Sequence, residues 1–239
     1  HNEWRELGPV MREQREALWE RFKNASDVIN KKHAAYYQER KSQEAENLAK
    51  NIRNVALVGH GGEGKTTLAE AILFNAKAID RQGSTNDGNT VMDFDSEEIA
   101  KKISISLSAA NCTYQCEFGM AKFNLLDTPG FFDFVGEVLA PLSIASVAVV
   151  VVRPRNVEVG TKRAFKFIKD THKPCIVVVN KMDKDNADPN KTFASLQELF
   201  GGKCVMLNEP NGAAGAFTAT NDLVDSKIDE LPQIINIIK

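Results

Sequence analysis

The 239 residues contain no apolar run approaching the roughly 20 that a membrane-spanning helix needs. The longest largely apolar stretches, Ala145–Val152 and Cys175–Val179, have the length of buried strands. Cysteine is scarce: Cys112, Cys116, Cys175 and Cys204 do not make a disulfide scaffold in a chain of this size. Neither sign of charge dominates, because 30 Lys and Arg face 32 Asp and Glu for a net charge of −2. That balance argues against a protein whose main work is to coat DNA or other nucleic acid. No signal peptide opens the chain, so the expected compartment is the cytoplasm. Its first residue is His1 rather than Met, and the chain reads as processed or cut. With 43% hydrophobic and 26% charged residues, it has the composition of an ordinary globular protein able to bury a sizeable core.

Glycine and proline are missing from one long segment. After the break at Gly8-Pro9 neither occurs until past Lys50. Within that segment Leu18, Phe22, Ala25, Ile29 and Tyr36 recur at three- and four-residue steps on one helical face. Charges such as Arg12, Arg15, Glu16, Glu20, Arg21 and Lys23 fill the solvated face. The pattern predicts one long helix or a hairpin of two. A stripe carrying Trp19, Phe22 and Tyr36 is expected to pack on a second helix, on the following domain or on a protein partner.

From Asn51 the grammar changes to short apolar strands alternating with amphipathic helices. Strands are expected at Val55–Val58, Ile103–Leu107, Phe123–Leu126, Ser146–Val152 and Ile176–Val179. Helices are expected from Thr66 to about Ala78 and at Phe134–Ile144, Val159–Asp170 and Pro189–Phe200, with a polar loop over 81–97. Repeated alternation of this kind implies an α/β fold with a mostly parallel sheet flanked by helices. The domain reading is a helical segment over 1–50, a nucleotide domain over 51–220 and an apolar tail over 221–239. The tail is marked by Ile228, Leu231, Ile234, Ile235, Ile237 and Ile238.

Three motifs stand at strand ends. Gly59-His60-Gly61-Gly62-Glu63-Gly64-Lys65-Thr66 is a full GxxxxGK[ST] between a predicted strand and a predicted helix. Its glycines let backbone N–H groups wrap phosphates, and the helix N-terminus adds partial positive charge. Lys65 would reach the β- and γ-phosphates and the Thr66 hydroxyl would ligate Mg2+, with Thr67 completing the set. Asp127-Thr128-Pro129-Gly130 follows the strand Phe123–Leu126. There Asp127 could hold Mg2+ through water, and the Gly130 N–H could reach the γ-phosphate. Asn180-Lys181-Met182-Asp183 closes the series. The Asp183 carboxylate can accept both the N1–H and the exocyclic amine of guanine, a donor pair that adenine does not present, while Asn180 and Lys181 support the ring and the loop.

On these stretches, residues 51 to about 217 resemble the GTP-binding domain of translation elongation factor G. Blocks such as Asn54–Gly59, Asp127–Val138 and Val157–Thr161 are closer still to the elongation-factor-G-like bacterial paralogues. The resemblance implies a ribosome-dependent GTPase in which GTP or GDP and Mg2+ order two switch loops. The first would be Asp87–Ser106, where the family's Arg-Gly-Ile-Thr-Ile reads Lys101-Lys102-Ile103-Ser104-Ile105, so Ser104 supplies the metal-binding hydroxyl. Lys65, Ser104 and Gly130 would then be the groups acting on the transferring phosphoryl. In the second switch the family's His, which positions the attacking water, is Phe131 here, a side chain that can neither donate nor accept a hydrogen bond. The family also has Asp where Gly62 stands and Ala or Ser where Glu63 stands. Glu63 therefore puts a negative charge near the triphosphate unless it points outward. The family's Ser-Ala guanine-contacting loop is not found. Residues 1–50, through Trp4-Arg5-Glu6-Leu7-Gly8-Pro9-Val10, Leu18–Lys23 and Tyr36-Tyr37, resemble a bacterial helical-repeat family of unknown function.

Lesser features read plainly. Cys112 and Cys116 lack the further ligands a metal site needs and are expected to be buried or turn thiols. His60 is expected to shape its loop rather than act as acid or base, and His33 and His172 to lie at the surface. Lys101-Lys102 fits an exposed pair better than an RNA contact. Asp93, Asp95, Glu97 and Glu98 lack the spacing and glycine of a calcium loop.

Overall fold

The computed structural model describes residues 12–116, 119–134, 136–155, 157–201 and 204–223. The chain divides into two compact units between Lys50 and Asn51. Among its described residues the first unit carries one helix, α1 (Arg12–Ala49, 38 residues), as a segment without Gly or Pro permits. Trp19 and Phe22, three residues apart, stack with ring centroids 5.8 Å apart. Along this stripe Trp19 and Tyr36 are each 52% exposed. The segment Trp4–Val10 lies outside the described residues.

The second unit is built on a five-stranded sheet of order β2-β3-β1-β4-β5. Its strands are β1 (Ile52–Val58), β2 (Ser108–Cys116), β3 (Gly119–Asp127), β4 (Val147–Val152) and β5 (Cys175–Val179). β1 runs parallel to β3 and β4, and β4 parallel to β5; only β2 pairs antiparallel, with β3. The helices are α2 (Lys65–Asn75), α3 (Ser96–Lys101), α4 (Gly136–Ile144), α5 (Val159–Asp170) and α6 (Pro189–Phe200). A two-stranded antiparallel hairpin follows, β6 (Asn208–Asn211) with β7 (Ala219–Asp222).

The period-2 geometry of strands explains the core. Along β1, Val55 and Leu57 join Ala69 and Leu73 of α2 on one face of the sheet, with Leu125, Val149 and Val151. Ala56 and Val58 face the other side, with Val138 and Leu142 of α4, Ala164 and Ile168 of α5 and Leu196 of α6. Apolar residues are thus needed at consecutive positions, which is why these strands read as unbroken apolar runs.

Several boundaries differ from the sequence reading. The strand expected at Ile103–Leu107 is irregular backbone, and the strand proper is β2, beginning at Ser108. The reason is local: the Glu98 carboxylate accepts from the N–H groups of Ile105 (2.8 Å) and Ser106 (3.0 Å), taking donors that a ladder would need. The loop over 81–97 also contains the start of α3, capped by the Asp95 side chain, which accepts from the Glu97 N–H at 2.7 Å. Helix α2 ends at Asn75, short of the expected Ala78, and α4 begins at Gly136 after a 3-10 turn at Phe132–Phe134. The tail expected from 221 lies, from residue 224 on, outside the described residues.

Candidate functional site

Because four strands run parallel, their carboxyl ends share one edge of the sheet. The chain leaves β1 for α2 there, β3 for the second switch, β4 for Arg153 and β5 for Asn180–Asp183. The connection after β1 runs toward β2 on one side of the sheet and the connection after the adjacent β4 runs to β5 on the other, the kind of point at which α/β sheets open a crevice.

The phosphate loop Gly59–Thr66 spans β1 and α2. Gly64, the N-cap of α2, has φ 98°, and no side chain caps the helix there. Its first N–H groups are left for a ligand. Lys65 is buried, and its ammonium donates to the carbonyls of Gly59 (3.2 Å) and His60 (3.1 Å). Burial lowers the Lys65 pKa, opposed by Asp127, Glu63 and Asp93. Thr67 is exposed on the first turn of α2 and lines the same cleft. His60 packs against Gly160 in α5: a Cβ built on Gly160 would lie 2.6 Å from its Nδ1.

Thr66, Ser104 and Asp127 come together. Thr66 Oγ1 donates to Asp127 Oδ2 at 2.6 Å and lies 3.0 Å from Ser104 Oγ. Asp127 is 1% exposed, its Oδ1 has no hydrogen-bond partner, and burial pushes its pKa up to about 7 against the opposing Thr66 bond and Lys65 charge. Asp93 is a fourth member that sequence reasoning weighed only as a calcium ligand. It is buried, its Oδ1 is also unpartnered, and burial raises its pKa while the Ser104 hydroxyl opposes the rise. Two hydroxyls and two unsatisfied buried carboxylate oxygens are a hard-oxygen donor set that fits Mg2+.

Two further carboxylates hold the loop over 83–106 against this set. Glu70 of α2 accepts from the N–H groups of Gly83 (2.9 Å) and Val91 (2.6 Å). Glu98 does the same for Ile105 and Ser106. Nothing in the sequence singled out Glu70. The Asp95-x-x-Glu98 spacing, a capping box, was a legible signal for Glu98.

In the second switch, Thr128 donates to the Leu57 carbonyl at 2.7 Å, tying the turn to β1. Gly130 packs directly on Lys65 and the loop at His60-Gly61, with no room for a side chain. Phe131 is 40% exposed and its ring lies over Gly61, where an added Cβ would be 2.9 Å from two ring carbons. An aromatic ring therefore covers the phosphate loop where the family carries a hydrogen-bonding imidazole.

After the carboxyl end of β5, Asn180 donates through Nδ2 to the Glu63 carbonyl at 3.0 Å, and its Oδ1 accepts from the Lys181 N–H at 2.9 Å. Lys181 Nζ donates to the Gly62 carbonyl at 2.8 Å. Asp183 is exposed and pairs with Lys184 at 3.0 Å, a contact that lowers its pKa. The loop between β6 and β7 backs this motif, the Ala214 N–H donating to the Met182 carbonyl at 2.9 Å. Glu63 does not point outward: it is 1% exposed and lies 3.4 Å from Arg153 Nε. Sequence reasoning missed Arg153, whose only signal was to be the first charge after an apolar strand. The elements thus bring every motif residue to one edge of the sheet.

A family model described as the elongation factor Tu GTP-binding domain matches residues 50–236. The chain belongs to this GTP-binding domain family. A second model, a Domain of Unknown Function (DUF349), matches residues 17–53, the helical segment. An elongation factor G-like protein of Mycobacterium tuberculosis is 41% identical over 162 residues, 67% of this chain and 22% of that one. Elongation factor G of Mycoplasma pneumoniae is 34% identical over 179 residues, 74% of this chain and 25% of that one. A solved structure from Thermus thermophilus superposes with a TM-score of 0.67 at 28% identity, covering 78% of this chain and 30% of that one. The chain therefore carries a translational-GTPase nucleotide-binding domain and spans about a quarter of the length of the curated relatives it matches. Among the described residues, no helix is long and apolar enough to cross a membrane.

Proposed function

We propose that the chain binds GTP with Mg2+ and hydrolyses it to GDP and phosphate, as the nucleotide domain of an elongation-factor-G-like cytoplasmic GTPase acting on the ribosome. The observation that carries this reading is the convergence of Thr66, Ser104 and the unsatisfied Asp127 beside Lys65. The working division is 1–50 as a helical interaction segment, 51–220 as the GTP domain and 221–239 as an apolar tail.

In this reading the α2 N-terminus and the loop N–H groups cradle the phosphates, and Lys65 exchanges its two carbonyl acceptors for phosphate oxygens. Thr66 and Ser104 offer their hydroxyls and Asp127 its free oxygen to Mg2+. The metal supplies neutralisation of charge on the transferring phosphoryl group. Gly130 presents its N–H from beside Lys65. Asp183 reads guanine after releasing Lys184. The reaction is in-line attack of water on the γ-phosphorus with departure of GDP, and the Phe131 side chain has no hydrogen-bonding atom with which to orient that water.

The Phe131 ring lying on Gly61 favours a second reading, a GTP-gated binding module with little hydrolysis. Fluorescent GTP, GDP and ATP analogues titrated with Mg2+, then phosphate release with and without ribosomes, test both. Guanine-selective binding with ribosome-stimulated release supports the first. Selective binding without release supports the second, and Phe131→His should then raise turnover by about tenfold or more. Absence of guanine-selective binding overturns both.

A further inference from the structure

The backbone of the phosphate loop is held by the side chains of Arg153, Asn180 and Lys181. In a trans peptide the C=O and the following N–H point in opposite directions. The Gly62 carbonyl is drawn outward by two donors, Arg153 Nη2 at 2.7 Å and Lys181 Nζ at 2.8 Å. The Glu63 N–H of the same peptide therefore faces into the loop, where it donates to the His60 carbonyl at a long N···O distance of 3.4 Å. The Glu63 carbonyl is drawn outward in turn by Asn180 Nδ2, which turns the Gly64 N–H inward. Successive inward N–H groups are what an anion-binding concavity requires.

Arg153 enters this arrangement from the carboxyl end of β4, and it does a second thing there. Its Nε lies 3.4 Å from Glu63 Oε2, a charge contact without hydrogen-bond geometry, and both atoms lack a hydrogen-bond partner. The Glu63 side chain is only 2% exposed, so its carboxylate has little water to replace that cation. Lys181 and Lys65 also act on it as cations, while Glu158 repels it. Gly62 fits the same contact, because a Cβ there would lie 2.8 Å from Arg153 Nη2.

We propose that Arg153 is a positioning residue of the phosphate loop, neutralising the buried Glu63 carboxylate and fixing the Gly62 carbonyl outward so that the loop N–H groups face the nucleotide phosphates. The proposal rests on the nucleotide-binding reading given above. Arg153 touches no phosphate in this role; it acts through Glu63 and Gly62. The charge at Glu63 is thereby converted from a repulsion toward the triphosphate into one half of a fixed outer clasp.

The test uses the full 239-residue chain, fluorescent GDP and GTP analogues with Mg2+, and thermal denaturation of each variant. Arg153→Met should weaken both nucleotides about tenfold or more, because it strands a buried carboxylate beside the loop. Arg153→Lys, which keeps the charge but loses the fork, should fall between that variant and the wild type. Adding Glu63→Ala to Arg153→Met should restore affinity to within about threefold of wild type, because removing both charges removes the conflict. A purely structural role would lower the melting temperature without this rescue of affinity. Equal affinity of Arg153→Met and wild type, or a double variant as weak as Arg153→Met, overturns the proposal while leaving nucleotide binding intact. A wild-type chain that binds no guanine nucleotide overturns both.

Discussion

Asp127 holds the sharpest electrostatic conflict in the molecule. It is buried at the end of β3, one oxygen accepts the Thr66 proton at 2.6 Å, and the other is unsatisfied. Its pKa of about 7 lies well above the ordinary aspartate value, so the folded chain binds this proton more tightly than the unfolded chain does. Protonation therefore favours folding. The stabilisation is fully present below about pH 4 and is lost as pH rises through about 7. In metal-free buffer Asp127→Asn should accordingly raise Tm at pH 8 and change it little at pH 5. Each kcal/mol recovered corresponds to about 2–4 °C for a chain of this size. Calorimetry at the two pH values is the check, and an equal shift at both would refute the assignment. Under the proposed function the unsatisfied Asp127 oxygen is a Mg2+ ligand, and the variant should weaken Mg2+-dependent GTP binding about tenfold or more. At this scale the sequence made Asp127, Thr66 and Ser104 legible through motif and resemblance. It could not announce Asp93 or Arg153, because their roles come from which atoms are left without partners after folding.

The first switch shows how an element's course follows from a few buried carboxylates. Glu70 and Glu98 together accept from backbone N–H groups of Gly83, Val91, Ile105 and Ser106, fixing a long segment that has little regular structure of its own. Glu98→Ala leaves the Ile105 and Ser106 donors without acceptors. Each stranded donor costs about 1–3 kcal/mol where it stays buried, so the segment should open locally rather than remain in place. Amide hydrogen exchange should show lost protection at Ile105 and Ser106 with little change in β1 or β4. Unchanged protection there would mean that the segment is held by something else. This also explains an error of sequence reading. Ile103, Ile105 and Leu107 alternate with serines as a half-buried strand does, but the carboxylate had already taken the ladder donors. Helices α5 and α6 were legible end to end, Val159–Asp170 and Pro189–Phe200, because each has a clear apolar face, joined in α6 by the capping Asp188 and the N-terminal Pro189. The β6–β7 hairpin carries no apolar alternation, and its support of Met182 was invisible before the fold brought Ala214 there.

At the scale of the whole molecule, function is legible because topology gathers what sequence separates. Motifs at 59–66, 127–130 and 180–183 meet because β1, β3 and β5 run parallel with their carboxyl ends on one edge of the sheet. Glu63 and Asn180, 117 residues apart, share a hydrogen bond for the same reason. Every side chain placed at the site, and both clusters of the core, lie between residues 55 and 204. The unit Asn51–Lys239 thus carries its own core and its own site. A chain beginning at Asn51 should therefore fold and bind fluorescent GDP and GTP within about twofold of the full chain. Far-ultraviolet circular dichroism should record the loss of a 38-residue helix and retention of the remaining signal. A tenfold or greater loss of affinity in the shortened chain would show that the helix is coupled energetically to the nucleotide site. Retained affinity assigns nucleotide binding to the sheet unit alone and leaves the helix free to serve a separate recognition role.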